Sequence, residues 1–240
     1  MSCLITDGEK LKAIRSLINS NFFTMQGEEK VVSRYITNLI GMGEGLTLDF
    51  KHSITDSKKI ARSLAAFANT QGGTLLVGVK DNGSITGVDT DEEYYMVEAA
   101  STLYCRPEVP FEVVKWNMNA KTVLEVKVKP SKLRPHKAPD KNGHYKAYIR
   151  IADENMVVTS TQLKIWKAER SRKSIGLNLS NAQTALFEHF KQNPRITIDE
   201  FCKIGFLPAT EAERILVNLT VLGTIRYSGN PADEYFYPSV

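Results

Sequence analysis

Cations and aromatics at alternating positions are the residue types that hold a polyanion, and this chain gathers them in one stretch. Lys132, Arg134 and Lys137 stand in a Pro-, Lys- and Gly-rich segment, residues 130–143, with His136 and Lys141. Lys146, Tyr148 and Arg150 follow at every second position, so a strand would carry them on one face. Lys51 adds a further cation upstream. Ammonium and guanidinium groups pair with phosphates, and a tyrosine ring stacks on a base. The alternative is a set of lysines that only solubilise an edge, with Tyr148 packed inside. Charge arithmetic favours a partner: residues 115–173 hold 15 basic and 5 acidic residues, net +10, against −4 for residues 1–114 and −2 for 174–240. The chain as a whole is only +4, from 31 Lys+Arg and 27 Asp+Glu, so the middle segment holds all of the excess.

Other chemistries find little support. No G-x-x-x-x-G-K-[ST] is present to cradle a nucleotide triphosphate. Gly41-x-Gly43-x-Gly45 precedes a strand instead of following one, the wrong order for a dinucleotide fingerprint. His52, His136, His144 and His189 form no close pair, and no serine sits in a G-x-S-x-G elbow. Cys3, Cys105 and Cys202 are too scattered for a disulfide framework or a zinc site, which predicts free thiols in a reducing compartment.

The candidate residues need elements to position them. Leu11, Ile14, Leu17 and Ile18, then Val31, Val32, Tyr35, Ile36, Leu39 and Ile40, recur at helical spacing and predict an N-terminal helical extension over 1–40. Residues 46–51 alternate as a strand, with Leu48 and Phe50 on one face and Asp49 and Lys51 on the other. A helix is expected over 57–69, striped by Ile60, Leu64, Phe67 and small alanines, and an apolar strand over 74–79. Asp81-Asn82-Gly83 predicts a hairpin into 84–88, and Asp89–Asp91 a cap for a helix over about 91–104. Residues 121–129 read as a strand, with Leu124, Val126 and Val128 opposite Val123, Glu125 and the lysines. In the next strand Ala147, Ile149 and Ile151 are expected to turn inward, opposite Lys146, Tyr148 and Arg150. A helix over 159–172 closes this domain, residues 41–173, and 173–179 reads as a linker. Residues 180–240 then predict helices over 182–192, 197–204 and 210–222, and strands at 225–227 and 235–237. That is the order of a winged helix-turn-helix.

One stretch is more specific than the rest. EGLTLDFK, residues 44–51, and AFANTQGGTLLVGVKDNG, residues 66–83, resemble the two motif blocks of the Schlafen AlbA-like domain, once called a divergent AAA domain. The family's blocks are typically E-S-x-x-x-E-F-K and A-F-A-N-T-x-G-G-x-L-x-x-G-V-x-D-x-G, and its C-terminal half resembles residues 134–151. The resemblance covers about residues 40–160. It implies an α+β fold, a mixed sheet with packed helices, followed here by the small winged-helix unit. It also maps Glu44 and Asp49 onto the two acids of the first block, with Asp in place of the usual Glu, and Asp81 onto the acid after G-V-x. In eukaryotic Schlafens the corresponding carboxylates form a metal-dependent ribonuclease site, which implies that Glu44, Asp49 and Asp81 would share Mg²⁺ or Mn²⁺. Asp49 could instead pair with Lys51 or another cation, and Asp81 could simply start a turn.

Composition adds bounds. At 240 residues, 42% hydrophobic and 24% charged, the chain matches ordinary globular protein, and its longest charge-free stretch, 63–79, is too polar for a membrane span. Acidic residues after the start interrupt any leader-like run, which points to the cytoplasm. The expected third helix of the C-terminal unit carries Glu211 and Glu213 beside one arginine, Arg214, a poor set for entering a groove. The sequence thus predicts a bacterial, cytoplasmic nucleic-acid-binding protein, DNA or RNA, of transcription-regulator type, with homo-oligomers open. The rivals are a divalent-metal endoribonuclease and a winged-helix adaptor.

Overall fold

The structure, a computed structural model, describes residues 34–118, 120–171 and 180–239. Residues 34–42 are helical, here α1. The rest of the expected N-terminal extension and all of the expected linker lie outside the described residues. Strand β1 (Leu48–Lys51) runs parallel to β2 (Gly73–Val77). Strands β3 (Phe111–Met118) and β4 (Lys121–Val128) complete a four-stranded mixed sheet in the order β1-β2-β4-β3. Strand β3 had no counterpart in the sequence reading. No helix among the described residues is long and apolar enough to cross a membrane.

Helix α2 (Ser57–Asn69) lies between this sheet and a second one. Asp56 caps it, its side chain accepting from the backbone N–H of Lys58. Ile60, Leu64 and Phe67 meet Leu75, Val77, Leu124 and Val126 of the first sheet in one core. Ala61, Ala65, Ala66 and Ala68 fill the remaining faces, and their small size lets strands approach on the far side as well. Helix α3 (Thr90–Thr102), capped by Asp89 as expected, packs beside α2. The opposite face of the sheet is covered by α1, where Ile36 joins Leu48, Phe50, Leu76 and Val123. Glu125, fully buried on that face, accepts from Tyr35 Oη at 2.7 Å and Trp116 Nε1 at 2.8 Å, and pairs with Lys127.

The second sheet, β5 (Lys137–Pro139), β6 (Tyr145–Ile151) and β7 (Glu154–Val157), packs its inner side on α2, and α4 (Ser160–Arg170) covers its outer side through Trp166. The expected outward face of residues 146–150 is corrected here: Ala147, Tyr148, Ile149 and Arg150 are all buried, because β6 has a layer on each side. The Asp81–Gly83 turn forms, but only one bridge, Val79 to Ile85, follows it where a strand was expected.

Residues 180–239 carry α5 (Asn181–Phe190), α6 (Ile198–Gly205), α7 (Ala209–Val221) and the hairpin β8 (Ile225–Tyr227) and β9 (Phe236–Pro238), in the order expected. They have their own core of Leu186, Ile196, Phe201, Leu216 and Phe236.

The turn from α2 into β2 is the tightest point of the fold. Gly72 has φ +77, and a Cβ there would lie 2.6 Å from the carbonyl oxygen of Val128. A Cβ on Gly73 would lie 2.3 Å from the Phe67 ring. Gly73→Ala must displace that ring, and overpacking of this kind lowers the unfolding free energy by about 1–3 kcal/mol. Urea denaturation of the variant against wild type measures it.

Candidate functional site

Alternation along β1 turns Leu48 and Phe50 toward α1, so Asp49 is sent the other way, into the layer shared with α2. There it is 4% exposed and meets Arg150 of β6, which is 3% exposed, with Oδ1 3.1 Å from Nη2. Arg150 also donates Nε–H to the Gly45 carbonyl at 3.0 Å, and its other nitrogens reach the Leu48 carbonyl and Oδ1 of Asn155. Its guanidinium lies 5.3 Å from the Phe67 ring centroid. Lys51 lies on the same side of β1, as its spacing predicts, and its Nζ is 3.1 Å from Asp49 Oδ1. Glu44 Oε1 accepts from the backbone N–H of Phe50 at 2.8 Å. Burial, then the neighbouring Asp49, push the Glu44 carboxyl above its ordinary value. Oδ2 of Asp49 is buried and has no hydrogen-bond partner among the described residues.

This geometry corrects the expectation of a shared metal pocket. The parallel register places Asp49 opposite Leu75, and β2 ends at Val77, two residues or about 7 Å farther along. Asp81 lies past it, exposed in the turn. Mg²⁺ and Mn²⁺ need several converging oxygens, and among the described residues no group of three or more His, Cys, Asp or Glu side chains is placed to hold a metal. Glu44 and Asp49 are brought together, with two cations beside them. Asp81 is not. The residues present do not fit the ion.

The basic candidates also divide. Arg150 is structural, and Tyr148 is 5% exposed in the main core, so neither faces a ligand. Lys51 serves Asp49, Arg134 pairs with Glu169 at 3.0 Å while lying over the Trp166 ring, and Lys146 pairs with Asp140 at 3.0 Å. Lys132, Lys137 and Lys141 are exposed and have no ion pair with any described residue. Beside Lys137 the sequence reading missed two residues. Arg106 bridges to Lys137 along the backbone, and its guanidinium lies 5.6 Å from the ring centroid of Tyr145, which is 40% exposed. The alternation in β6 does put Tyr145 opposite Tyr148 in face. What it could not show was that exposure begins only at the strand's first residues.

The comparisons with known proteins bear on the same stretch. Residues 44–159 match the Schlafen, AlbA_2 family. They are similar to that family over just under half of the chain, and the name AlbA_2 domain is used for them on that ground. The match begins at Glu44 and ends at Thr159, the N-cap of α4, so it contains the whole Arg150 cluster. Two solved structures align more loosely. The crystal structure of the DIP2311 protein from Corynebacterium diphtheriae aligns over 81% of this chain and 34% of that one, at 20% identity and a TM-score of 0.41. The present chain thus spans about a third of that protein's length. The solution structure of the N-terminal domain of a RecG-related protein from Nitrosomonas europaea aligns over 52% of this chain and 95% of that one, at 20% identity and a TM-score of 0.38.

Beyond the AlbA_2 domain, α7 is docked against α4. Glu213 accepts from Thr161 Oγ1 at 3.2 Å and pairs with Lys164, and Tyr227 Oη lies 2.8 Å from Thr159 Oγ1. Glu211 pairs with Arg214 on the same helix. One of the two glutamates expected to repel phosphates instead fastens the two units together.

Two outcomes follow from the buried polar groups of the AlbA_2 domain. Arg150→Met leaves the buried Asp49 carboxylate with only the partly exposed Lys51 as counter-ion, and breaking a buried pair from one side costs up to about 3–5 kcal/mol. Asp49→Asn with Arg150→Met recovers part of that loss in chemical denaturation, since no lone charge remains. His136, fully buried, lies 3.0 Å from the Pro107 carbonyl and 2.7 Å from Ser131 Oγ, and burial holds its pKa below the ordinary 6.5. Its neutral form is the folded one, so below about pH 6.5 the unfolded chain takes up a proton that the fold resists. Stability therefore falls as pH drops from 7 to 5, by at most about 1.4 kcal/mol per pH unit. Chemical denaturation of His136→Gln across that range shows a shallower dependence.

Proposed function

We propose that this protein binds nucleic acid through the exposed end of the β5–β6 hairpin and the loop before it. The observation that carries the reading is the set Lys132, Lys137 and Lys141, three exposed ammonium groups without a counter-ion among the described residues. Most of the other basic side chains of residues 115–173 are balanced by a nearby carboxylate or buried. Free lysines attract phosphates and release counter-ions on binding, and the Arg106–Tyr145 stack beside them offers an aromatic face to a base. On this reading residues 41–173 are the binding domain and 180–240 a separate unit held on it.

A transcription regulator that reads duplex DNA is the finer form of this reading, and it needs a helix free to enter a groove. Glu213 ties α7 to α4, so that form has less support than nucleic-acid binding itself. Cleavage by Glu44, Asp49 and Asp81 has less still, since Asp49 is held by Arg150 and Asp81 stands apart.

The test is the full-length triple variant Lys132→Glu, Lys137→Glu, Lys141→Glu. Fluorescence anisotropy with a mixed-sequence oligonucleotide should show affinity falling by about tenfold or more at moderate salt, with a shallower salt dependence. Arg134 is left alone because its loss would also uncover Trp166. Unchanged affinity in the folded variant would remove the proposed surface.

A further inference from the structure

Between the AlbA_2 domain and the C-terminal unit lies an open cleft of about 770 Å³. One wall is built by the Gln71 turn, the end of β6 and the α4 residues Gln162 and Trp166, and the other by the β8–β9 hairpin. We infer that this cleft holds a single nucleic-acid strand, whose phosphates meet Arg226 and Arg134 and one of whose bases stacks on Tyr237. The inference rests on the nucleic-acid reading above and adds a path and a strand state to it.

Three features carry it. Arg226 and Tyr237 are cross-strand partners in the hairpin, so they stand side by side on one face, and both line the cleft. Tyr237 is half-buried with its ring centroid 6.0 Å from that of Tyr235, and a cation beside such a ring is the pairing that single-strand sites use, because every base has a face to stack and every nucleotide a phosphate. Arg226 is exposed and has no ion pair with any described residue. The second feature is charge. Glu169 is the only acidic residue among the described lining, and it is already paired with Arg134. Gln71, Gln162 and Asn230 add neutral donors and acceptors suited to base edges. The third is continuity. Arg134, which lines the cleft, stands in the same loop as Lys132 of the basic surface already described. Its walls are fixed in advance by the Glu213–Lys164, Glu213–Thr161 and Thr159–Tyr227 contacts.

A duplex keeps its base faces stacked inside and offers none to Tyr237. A cavity of this volume is that of a ligand pocket and not of a seat for a double helix. Single-stranded DNA and RNA share the recognised chemistry, and the test separates them.

The experiment uses the full chain and three probes of one sequence, a twelve-nucleotide DNA strand, the same strand as RNA, and the twelve-base-pair DNA duplex. Anisotropy should show at least one single strand binding about tenfold or more tighter than the duplex. Arg226→Glu, and separately Tyr237→Ala, should weaken that strand by about tenfold while leaving duplex affinity unchanged. Irradiating a strand that carries 5-bromouracil should attach it to the peptide containing Arg226 or Tyr237, a readout that needs no variant to fold. Duplex binding as tight as either strand, or unaltered strand binding in a folded Arg226→Glu protein with no cross-link on the hairpin, overturns the cleft. In that case loss of binding in the lysine triple variant still upholds the nucleic-acid reading. If wild type binds none of the three probes, both readings fall together.

Discussion

The guanidinium of Arg150 is the point on which the arrangement of the AlbA_2 domain turns. It projects from β6 and is bound by the Gly45 and Leu48 carbonyls, by Asp49 of β1 and by Asn155 of β7, while lying over Phe67 of α2. A charge this deeply buried is tolerated only when its donors are met, so each partner must be in place at once. Those partners come from residues more than a hundred positions apart in the chain. The two parts of the family pattern, the EGLTLDFK strand and the later tyrosine–arginine strand, therefore act as one structural unit. Asp49 is held by this arginine, and Lys51 and Glu44 stand beside it.

Burial of α2 on nearly all sides has a second consequence. Asn69 at its end donates to the His136 and Tyr148 carbonyls, both at 2.8 Å, and accepts from the His136 N–H. The basic loop is thereby anchored from inside by a side-chain amide and a neutral histidine, and it leaves Lys132 and Lys137 free on the outside. The positive excess of residues 115–173 is thus not a uniform charged face. Neighbouring acids neutralise much of it, and Lys132, Lys137 and Lys141 have no ion pair among the described residues where the β5–β6 hairpin and its loop reach solvent, as Lys121, Lys167 and Arg170 have none elsewhere. A polyanion would find a small, directed patch backed by a rigid core.

The C-terminal unit has its own core, yet it is joined to the AlbA_2 domain through α7, the helix that a groove-binding module would keep free. A glutamate that looks wrong for phosphate is suited to the lysine and threonine it meets on α4. This docking leaves a cleft between the two units, lined on one side by the β8–β9 hairpin and reached on the other by Arg134 of the basic loop.

Much was legible in the residues alone. The Ile60–Leu64–Phe67 stripe and Gly72-Gly73 bounded α2 at the positions observed, because helical period and turn glycines are local rules. The helices expected over 182–192 and 197–204 form as α5 and α6, within two residues at each end. The pairing of Asp49 with Lys51 followed from a two-residue period, and the family from two contiguous motif blocks. What the chain could not disclose by itself was which faces would be covered. Tyr148 and Arg150 alternate with apolar residues as a half-exposed strand does, and only α2 on one side and α4 on the other bury both faces. Strand β3, whose partly exposed residues alternate weakly, was fixed by its pairing with β4. Asp81 left the expected trio because it stands exposed in the turn beyond β2 while Asp49 is buried, and which segments cover each is not a local property. The sequence by itself determined the elements, their caps and the sign of the charge. Tertiary structure decided which charges remain free, since a carboxylate or a covering layer comes from elsewhere in the chain and no local pattern records it.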